Sequence, residues 1–202
     1  MKKIEDLKIW PDDYLNQVIN GDCLEIMKLM PDKCVDLVLT DPPYPDYYAD
    51  EYKYKDGIID FLKDLPCRQF LFWTAKIDFP LDYTAIHIWD KKIGAGSQYE
   101  RIFERNGGKE YKVFSYYTNN STVAAQMTND IKFDHPSQKP INLLKRLIQD
   151  YSEDKQTILD PFLGSGTTAV AAKQLNRNFI GIEISEKYCE IAEARLRQDT
   201  LF

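Results

Sequence analysis

Short apolar runs alternate along the chain with segments in which apolar residues recur every three or four positions. The runs predict buried strands, and the recurring pattern predicts helices that cover a sheet. The predicted strands are 17–20, 35–40, 69–73, 84–89, 111–117, 157–160 and 178–183. The predicted helices are 23–30, 57–64, 140–151, 169–173 and 185–197. Strands that alternate with helices indicate an α/β fold with a doubly wound, mostly parallel sheet.

The predicted strand 35–40 ends at Asp41-Pro42-Pro43-Tyr44. The two prolines stop the strand and hold the carbonyl groups of Asp41 and Pro42 in fixed directions. A carboxylate, a rigid carbonyl and an aromatic face together suit hydrogen bonding to the exocyclic amino group of a planar base that stacks on Tyr44. The same residue types also form ordinary strand-terminating turns, so this block leaves both interpretations open.

A second polar block follows the predicted strand that ends at Asp160. Here a turn with Gly164 and Gly166 leads into a helix, and the next strand ends at Glu183, seventeen residues after Gly166. In this layout the glycines let a ligand approach the backbone, and the acid can accept both ribose hydroxyl protons. No lysine follows the glycines as in a phosphate-binding loop, and the three-glycine dinucleotide pattern is absent. The block therefore favours an adenosine ligand without a polyphosphate.

Length and composition indicate one domain that spans residues 1–202. The chain has 202 residues, of which 44% are hydrophobic, and no apolar run has the roughly 20 residues of a membrane span. Its charged first residues do not resemble a signal peptide, so a soluble, cytoplasmic protein without a membrane partner is expected. The cysteines lack C-x-x-C spacing and there are two histidines, so neither a disulfide framework nor a metal site is suggested.

Charge is distributed unevenly along the chain. The net charge is -6, but residues 91–146 contain ten Lys or Arg and five acidic residues, so this segment carries +5 and the remainder -11. Such an asymmetry predicts one face that attracts phosphate groups, although a solvated mixed surface gives the same pattern. If the face binds DNA, the expected contacts are Lys91, Lys92, Arg101 and Arg105.

Four blocks in this order resemble those of the DNA amino-methyltransferases that use S-adenosylmethionine. The blocks are Gly21–Glu25, Asp41–Tyr44, His135–Pro140 and Asp160–Thr168. The resemblance covers 17–197 and implies a Rossmann-like methyltransferase sheet in the circularly permuted order, with the Asp-Pro-Pro-Tyr block before the glycine block. It also implies that 111–117 lies antiparallel between 69–73 and 84–89, and that the strands ending at Thr40 and Asp160 are neighbours.

The resemblance implies two groups of site residues. The catalytic group is Asp41, Pro42, Pro43 and Tyr44, in which Asp41 and the Pro42 carbonyl would hold the target amino group while Tyr44 stacks on the flipped base. The cofactor group is Asp22, Cys23, Asp41, Lys139, Asp160, Phe162, Gly164, Ser165, Gly166, Thr167 and Glu183. In that group Glu183 would bind ribose, Asp22 would accept from the adenine amino group, and Lys139 would lie near the cofactor's carboxylate. From the residues alone, Asp22 is equally a helix N-cap.

The expected function is methyl transfer from S-adenosylmethionine to N6 of adenine in DNA. Cytosine N4 is the nearest alternative, but the family's N4 enzymes more often have Ser in place of Asp41. An inactive module that binds cofactor or DNA is the alternative from another class. Only about forty residues, within 91–135, remain for target recognition, so a short recognition insertion is expected. The DNA sequence, an accompanying restriction enzyme and a homodimer are left open.

Overall fold

The computed structural model describes residues 1–44, 57–92, 98–117 and 138–198. Within these ranges nine strands form one sheet in the order β1-β2-β9-β8-β3-β4-β6-β5-β7. The strands are β1 (Lys2–Lys3), β2 (Gln17–Asn20), β3 (Leu37–Thr40), β4 (Arg68–Trp73), β5 (Ala85–Asp90), β6 (Tyr99–Arg105), β7 (Val113–Ser115), β8 (Thr157–Asp160) and β9 (Asn178–Glu183). The helices are α1 (Cys23–Met27), α2 (Ile58–Asp64), α3 (Ile141–Tyr151), α4 (Thr167–Gln174) and α5 (Glu186–Gln198), with a short 3-10 helix at Ile4–Asp6.

The antiparallel strand is β6, and this corrects the predicted topology. β6 pairs antiparallel with β4 and with β5, whereas the other strand pairs are parallel. The segment 111–117, predicted to hold the antiparallel place, instead contributes β7, which pairs in parallel with β5 at the edge of the sheet. The pattern of β6 concealed the strand, because it carries charged residues on both faces around two central apolar positions.

The sheet is covered on both faces, as the prediction of a doubly wound fold requires. Successive residues of β3 alternate between two core clusters, with Leu37 and Leu39 in one and Val38 in the other. The first cluster includes residues of α3, α4 and α5, and the second includes residues of α1 and α2. The start of the chain is tied to the sheet, because β1 pairs with β2 and Tyr14 is buried in the second cluster. In the part of the chain that the structure describes, no helix could cross a bilayer.

The predicted adjacency of β3 and β8 is confirmed. The two strands are parallel neighbours, with Leu37 opposite Ile158 and Val38 opposite Leu159. Their carboxyl ends therefore lie at one edge, where the Thr40 hydroxyl donates a hydrogen bond to Asp160 Oδ1 at 2.8 Å. In open α/β sheets ligands bind at this edge, where the strand order reverses direction. We call it the carboxyl edge.

Candidate active site

Asp41-Pro42-Pro43-Tyr44 follows β3 directly onto the carboxyl edge. Pro42 is buried, and the other three residues are partly exposed. The Tyr44 hydroxyl donates to Asp41 Oδ1 at 2.5 Å, and the Tyr44 ring meets the Trp73 ring edge-on, with centroids 5.0 Å apart. The aromatic side chain is thus held by the carboxylate on one side and by the end of β4 on the other.

A row of alternating charges runs from Asp41 across the carboxyl edge. The Lys139 ammonium donates to Asp41 Oδ2 and lies 3.6 Å from Glu100 Oε2, with its nitrogen 5.1 Å from the centre of the Phe72 ring. The other oxygen of Glu100 accepts from Lys91 Nζ at 2.8 Å. The Lys139 side chain is only 8% exposed, so its charge is balanced mainly by these two carboxylates. We call Asp41, Lys139, Glu100 and Lys91 the edge network.

Burial and mutual attraction set the pKa values in the edge network. Burial raises the pKa of Asp41, and the charge of Glu100 adds to this effect, against the attraction of Lys139 and the hydrogen bond from Tyr44. Burial alone would lower the pKa of the Lys139 ammonium, but Asp41 and Glu100 outweigh it and the pKa is raised. For Glu100, burial acts upward but Lys139 and Lys91 outweigh it, so its pKa is lowered. Lys139 and Glu100 are therefore both charged at neutral pH.

The glycine turn after β8 has the backbone conformation that only glycine adopts readily. Gly164 has φ 54° and Gly166 has φ 84°. The Glu183 carboxylate at the end of β9 accepts from the Gly164 N–H at 2.9 Å and from the Ser185 N–H at 2.8 Å. Glu183 thereby ties the glycine turn to the end of the neighbouring strand, and burial raises its pKa.

Asp160 is the buried acid at the start of this turn. Burial raises its pKa to about 6, against hydrogen bonds from the Thr168 and Thr40 hydroxyls and the Phe162 N–H. Phe162 itself packs, partly buried, against the second core cluster. Asp160 is thus held by groups from both β3 and the glycine turn. These hydrogen bonds fix the end of β3 and the glycine turn relative to each other.

Helix α5 packs against the glycine turn. A Cβ atom at Gly166 would lie 2.6 Å from Ala192 Cβ and 2.9 Å from Ala192 Cα, so glycine is required here for helix packing. This differs from the sequence interpretation, in which Gly166 makes room for the ligand. Arg195 Nη1 donates to the Ser165 carbonyl at 2.8 Å, to Ser165 Oγ at 3.1 Å and to Thr167 Oγ1 at 2.9 Å.

Sequence analysis did not identify Arg195. An arginine in the last turn of a charged helix ordinarily extends into solvent, and nothing local distinguishes this one. Its proximity to Ser165 and Thr167 follows from the docking of α5, which the sequence pattern does not specify. The Arg195 side chain is buried and helps to fix the glycine turn.

Asp22 and Cys23 lie where β2 passes into α1. Asp22 Oδ1 accepts from the Leu24 N–H at 2.9 Å, so the N-cap interpretation is confirmed. Burial raises the pKa of the Cys23 thiol to about 11, which keeps it neutral. Because β2 pairs with β9, with Asn20 opposite Glu183, both residues lie at the carboxyl edge. Their ligand-binding roles remain predictions.

The structure separates the four basic residues predicted to contact DNA. Arg105 is 6% exposed, and its guanidinium donates to the carbonyls of Leu62 and Asp82 and to Gln69, so it is too enclosed to reach a phosphate. Arg105 is therefore left out of the DNA proposal.

The other three basic residues differ in how far they are committed to internal partners. Arg101 donates to the carbonyls of Thr74 and Ile77, an internal role that leaves it out of the DNA proposal. Lys91 pairs with Glu100. Lys92 pairs with Asp90 at 3.0 Å and is 46% exposed, which suits it best to an encounter with DNA.

The residues outside the described ranges are 45–56, 93–97, 118–137 and 199–202. Residues 118–137 contain three residues of the His135–Pro140 block. The last residues of that block, Gln138, Lys139 and Pro140, are buried immediately before α3.

The fold and the carboxyl edge define an α/β protein in which a glycine turn flanked by the buried acids Asp160 and Glu183 lies beside Asp41. The family model described as "DNA methylase", which covers N6 and N4 methyltransferases, matches residues 69–194, more than half of the chain. The chain therefore belongs to this family, whose members use S-adenosylmethionine as methyl donor.

Curated relatives agree with this assignment. The chain is 28% identical to the type II methyltransferase M.HinfI of Haemophilus influenzae over 252 positions, which cover 93% of this chain and 70% of the relative. Since the chain has only 202 residues, that relative carries residues within the matched region that this chain lacks. The chain is 36% identical to M2.LlaDCHI of Lactococcus lactis subsp. cremoris over 143 positions, which cover 69% of this chain and 48% of the relative. The match thus spans about half the length of M2.LlaDCHI.

Solved structures confirm the fold. The M1.HpyAVI complex with S-adenosylmethionine superposes with a TM-score of 0.60 at 21% identity, covering 89% of this chain and 98% of that one. The cytosine-N4-specific PvuII DNA methyltransferase has a TM-score of 0.68 at 16% identity, covering 91% and 89%. At these identities the likeness concerns the fold and leaves the target base open.

Proposed function

We propose that this protein transfers a methyl group from S-adenosylmethionine to the exocyclic N6 of adenine in DNA. The observation that carries the proposal is Asp41, held at the carboxyl end of β3 beside the Asp160 glycine turn of β8. When bound, S-adenosylmethionine supplies an electrophilic methyl group. The chain has to hold an amino group against it in a reactive geometry.

Asp41 and the Pro42 carbonyl are the groups that would hold the target amine. The lone pair of an exocyclic amine is delocalised into the ring, and hydrogen bonds from both amine protons favour the pyramidal, nucleophilic form. Alignment of the amine with the methyl group then lowers the barrier by proximity and orientation. A carboxylate has about four acceptor positions, so Asp41 can receive the amine beside Tyr44 and Lys139.

The cofactor residues fit an adenosine ligand. The glycine turn has left-handed backbone at Gly164 and Gly166, and the buried acids Asp160 and Glu183 flank it at the ends of neighbouring strands. Glu183 would accept from the ribose and Asp22 from the adenine amino group. The remaining contacts in this proposal come from Cys23, Phe162, Ser165, Thr167 and Lys139. Lys139 would contact the cofactor from its position beside Asp41.

DNA would approach the carboxyl edge with the target base flipped from the helix. Tyr44 would stack on the base, and Lys92 would meet a phosphate. The parts of 91–135 outside β6 and β7 would serve as a short recognition insertion. Flipping costs a few kcal/mol, and stacking on an aromatic ring returns roughly 1–3 kcal/mol.

Adenine is proposed over cytosine because Asp41 occupies the position at which the family's N4 enzymes more often have Ser. The deciding experiment incubates unmodified DNA with the protein and S-adenosylmethionine, digests the DNA to nucleosides and analyses them by mass spectrometry. N6-methyladenine is expected. N4-methylcytosine would establish the alternative base, and absence of any methylated nucleoside would favour an inactive binding module.

Asp41→Ala tests the assignment of the acceptor. We expect it to lower the single-turnover rate by at least about a hundredfold, because the amine loses a charged acceptor in a water-poor site. DNA affinity should change little, since phosphate contacts dominate it. A folded Asp41→Ala protein that methylates at the wild-type rate would remove Asp41 from the mechanism.

A further inference from the structure

Glu100 reaches the carboxyl edge because β6 runs against its neighbours. In the antiparallel register Glu100 lies opposite Trp89, near the end of β5, and the next residue lies opposite Trp73, the last residue of β4. The first residues of β6 therefore share an edge with the last residues of β3, β4 and β8. A parallel strand here would present its carboxyl end instead.

Glu100 and Asp41 share one buried ammonium group. Lys139 donates to Asp41 and lies 3.6 Å from Glu100 Oε2, while Lys91 binds Glu100 Oε1 from the end of β5. Among the described residues, Glu100 Oε2 has this ion pair but no hydrogen bond within normal distance. The positive charge of Lys139 thus interacts with both carboxylates and not with Asp41 alone.

We propose that Glu100 is a positioning residue for methyl transfer, whose negative charge offsets part of the Lys139 charge beside Asp41 and so keeps Asp41 a strong acceptor for the target amine. The inference rests on the proposed function, because it assumes that Asp41 holds the amine. Without the charge of Glu100, Lys139 would pair with Asp41 alone. A carboxylate neutralised in this way accepts more weakly from a neutral amine.

The groups around Asp41 predict the direction in which its pKa changes when Glu100 is neutralised. Among described residues, Asp41 is faced by Tyr44 of its own segment, Lys139 from before α3, Glu100 of β6 and Asp160 of β8. The charge of Glu100 raises the pKa of Asp41 by like-charge repulsion. Neutralising Glu100 removes that repulsion, so the pKa of Asp41 falls.

The test substitutes Glu100→Gln, which keeps the shape of the side chain and removes its charge. Asp150→Asn is the matched control, because Asp150 is also a mostly buried carboxylate held by two cations, Lys112 and Arg146. Asp150 lies in the last turn of α3, about 13 Å along the helix from Ile141, its first residue, at 1.5 Å per residue, and Lys139 precedes that residue. It is therefore remote from the edge network.

Two readouts are compared in folded protein. One is the titration of the Asp41 carboxyl carbon, followed by NMR in ¹³C-labelled protein without substrates. The other is the single-turnover methylation rate. For Glu100→Gln we expect the Asp41 titration to move to lower pH and the rate at neutral pH to fall about tenfold, with the KM values for cofactor and DNA unchanged. Asp150→Asn should leave both readouts at wild-type values.

An Asp41 titration that stays at the wild-type midpoint in Glu100→Gln would overturn the inference, whether or not the rate falls, because loss of packing alone lowers the rate without moving that midpoint. Asp41→Ala separates this failure from failure of the proposed function. If Asp41→Ala is inactive while Glu100→Gln resembles the wild type, only the role of Glu100 is lost. If Asp41→Ala retains wild-type activity, the proposed acceptor is wrong and the inference falls with it.

Discussion

Glu100 and Glu104 lie four residues apart on β6, yet their surroundings differ. Glu104 is 1% exposed and accepts from Arg68 Nε at 2.7 Å and from the Gly108 N–H at 3.0 Å, and it pairs with His87 Nε2 at 2.8 Å. Glu100 is 20% exposed and pairs with two lysines, one of which it shares with Asp41. Glu104 therefore has its own set of hydrogen-bond donors, whereas Glu100 competes with Asp41 for the Lys139 ammonium.

The tautomer of His87 indicates that Glu104 and its partners Arg68, His87 and Gly108 form a hydrogen-bonded cluster that stabilises the fold. His87 Nδ1 accepts from the Lys112 N–H at 3.2 Å, so in the neutral ring Nε2 carries the proton and donates to Glu104. Burial lowers the pKa of His87 and keeps the ring neutral. A fully satisfied buried network of this kind adds rigidity, whereas a network with competing partners can respond to a ligand. The comparison therefore predicts that the half of β6 around Glu104 contributes to stability and that the half around Glu100 contributes to the proposed reaction.

The largest effect that tests this comparison is on stability. In Glu104→Gln the amide oxygen can still accept from Arg68 and Gly108, which share Oε1, but an amide N–H then faces the His87 Nε2–H in place of Oε2. We expect this variant to lower the free energy of unfolding by about 3 kcal/mol. Glu100→Gln, at a partly exposed ion pair, should lower it by less than about 1 kcal/mol. Urea titration of both variants provides the measurement. The comparison breaks if Glu100→Gln proves the more destabilising of the two.

The next effect concerns Tyr44, on the opposite side of Asp41 from Glu100. Tyr44→Ala should lower the single-turnover rate about ten- to a hundredfold, because the stacking surface is lost. Tyr44→Phe keeps the ring and should lose less than about tenfold.

The pH profile of Tyr44→Phe sharpens the comparison with Glu100. The Tyr44 hydroxyl lowers the pKa of Asp41, so its removal should raise that pKa and move the acid limb of activity to higher pH. Glu100→Gln should move the same limb to lower pH. Rate measurements across pH that show both variants moving in one direction would contradict this account of Asp41.

A smaller effect is expected in the glycine turn, which Arg195 and Ala192 of α5 contact. Gly166→Ala would push a Cβ into Ala192, and we expect calorimetry to show about tenfold weaker binding of S-adenosylmethionine. Gly57→Ala is the control, because Gly57 also has left-handed backbone, at φ 94°, but among the described residues its Cβ would meet only Leu24, at 3.4 Å. Equal affinity in the two folded variants would show that the seating of the turn has no effect on the cofactor.

The smallest effect compares the two edges of the sheet through DNA binding. Lys92 follows the carboxyl end of β5, whereas Lys109 is exposed beyond the end of β6 at the opposite edge. Lys92→Glu should reduce the slope of log affinity against log salt by about 0.9, the value of one phosphate contact, and Lys109→Glu should leave it unchanged. The reverse result in salt titrations would place DNA at the wrong edge for the proposed site.

The strands that carry the motifs could be predicted from sequence almost to the residue. β2, β8 and β9 have the predicted bounds, and β3 begins two residues late. Central parallel strands are buried on both faces, so their sequences are short continuous apolar runs that end abruptly at polar site residues. The blocks Asp41–Tyr44 and Asp160–Thr168 were recognisable because that boundary is sharp.

β6 could not be predicted, for a physical reason that also explains why Arg101 and Arg105 resembled DNA contacts. Its charged residues have partners from distant elements: Glu104 has Arg68, Arg105 has carbonyls of α2 and Glu100 has Lys139. In sequence such residues resemble a solvated or DNA-binding surface. Only the assembled sheet shows which charges face inward, and the same limit applies to Arg195.

The direction of β6 also matters for protein engineering. β5 and β6 form a hairpin whose base is closed by a hydrogen bond from the Lys91 N–H to the Gln98 carbonyl at 2.8 Å, next to the edge network. Residues inserted between these two positions would emerge beside the proposed target base without interrupting a strand. Residues that M.HinfI carries within the matched region could therefore be grafted at this hairpin, and the DNA targets of the graft compared with those of the parent chain.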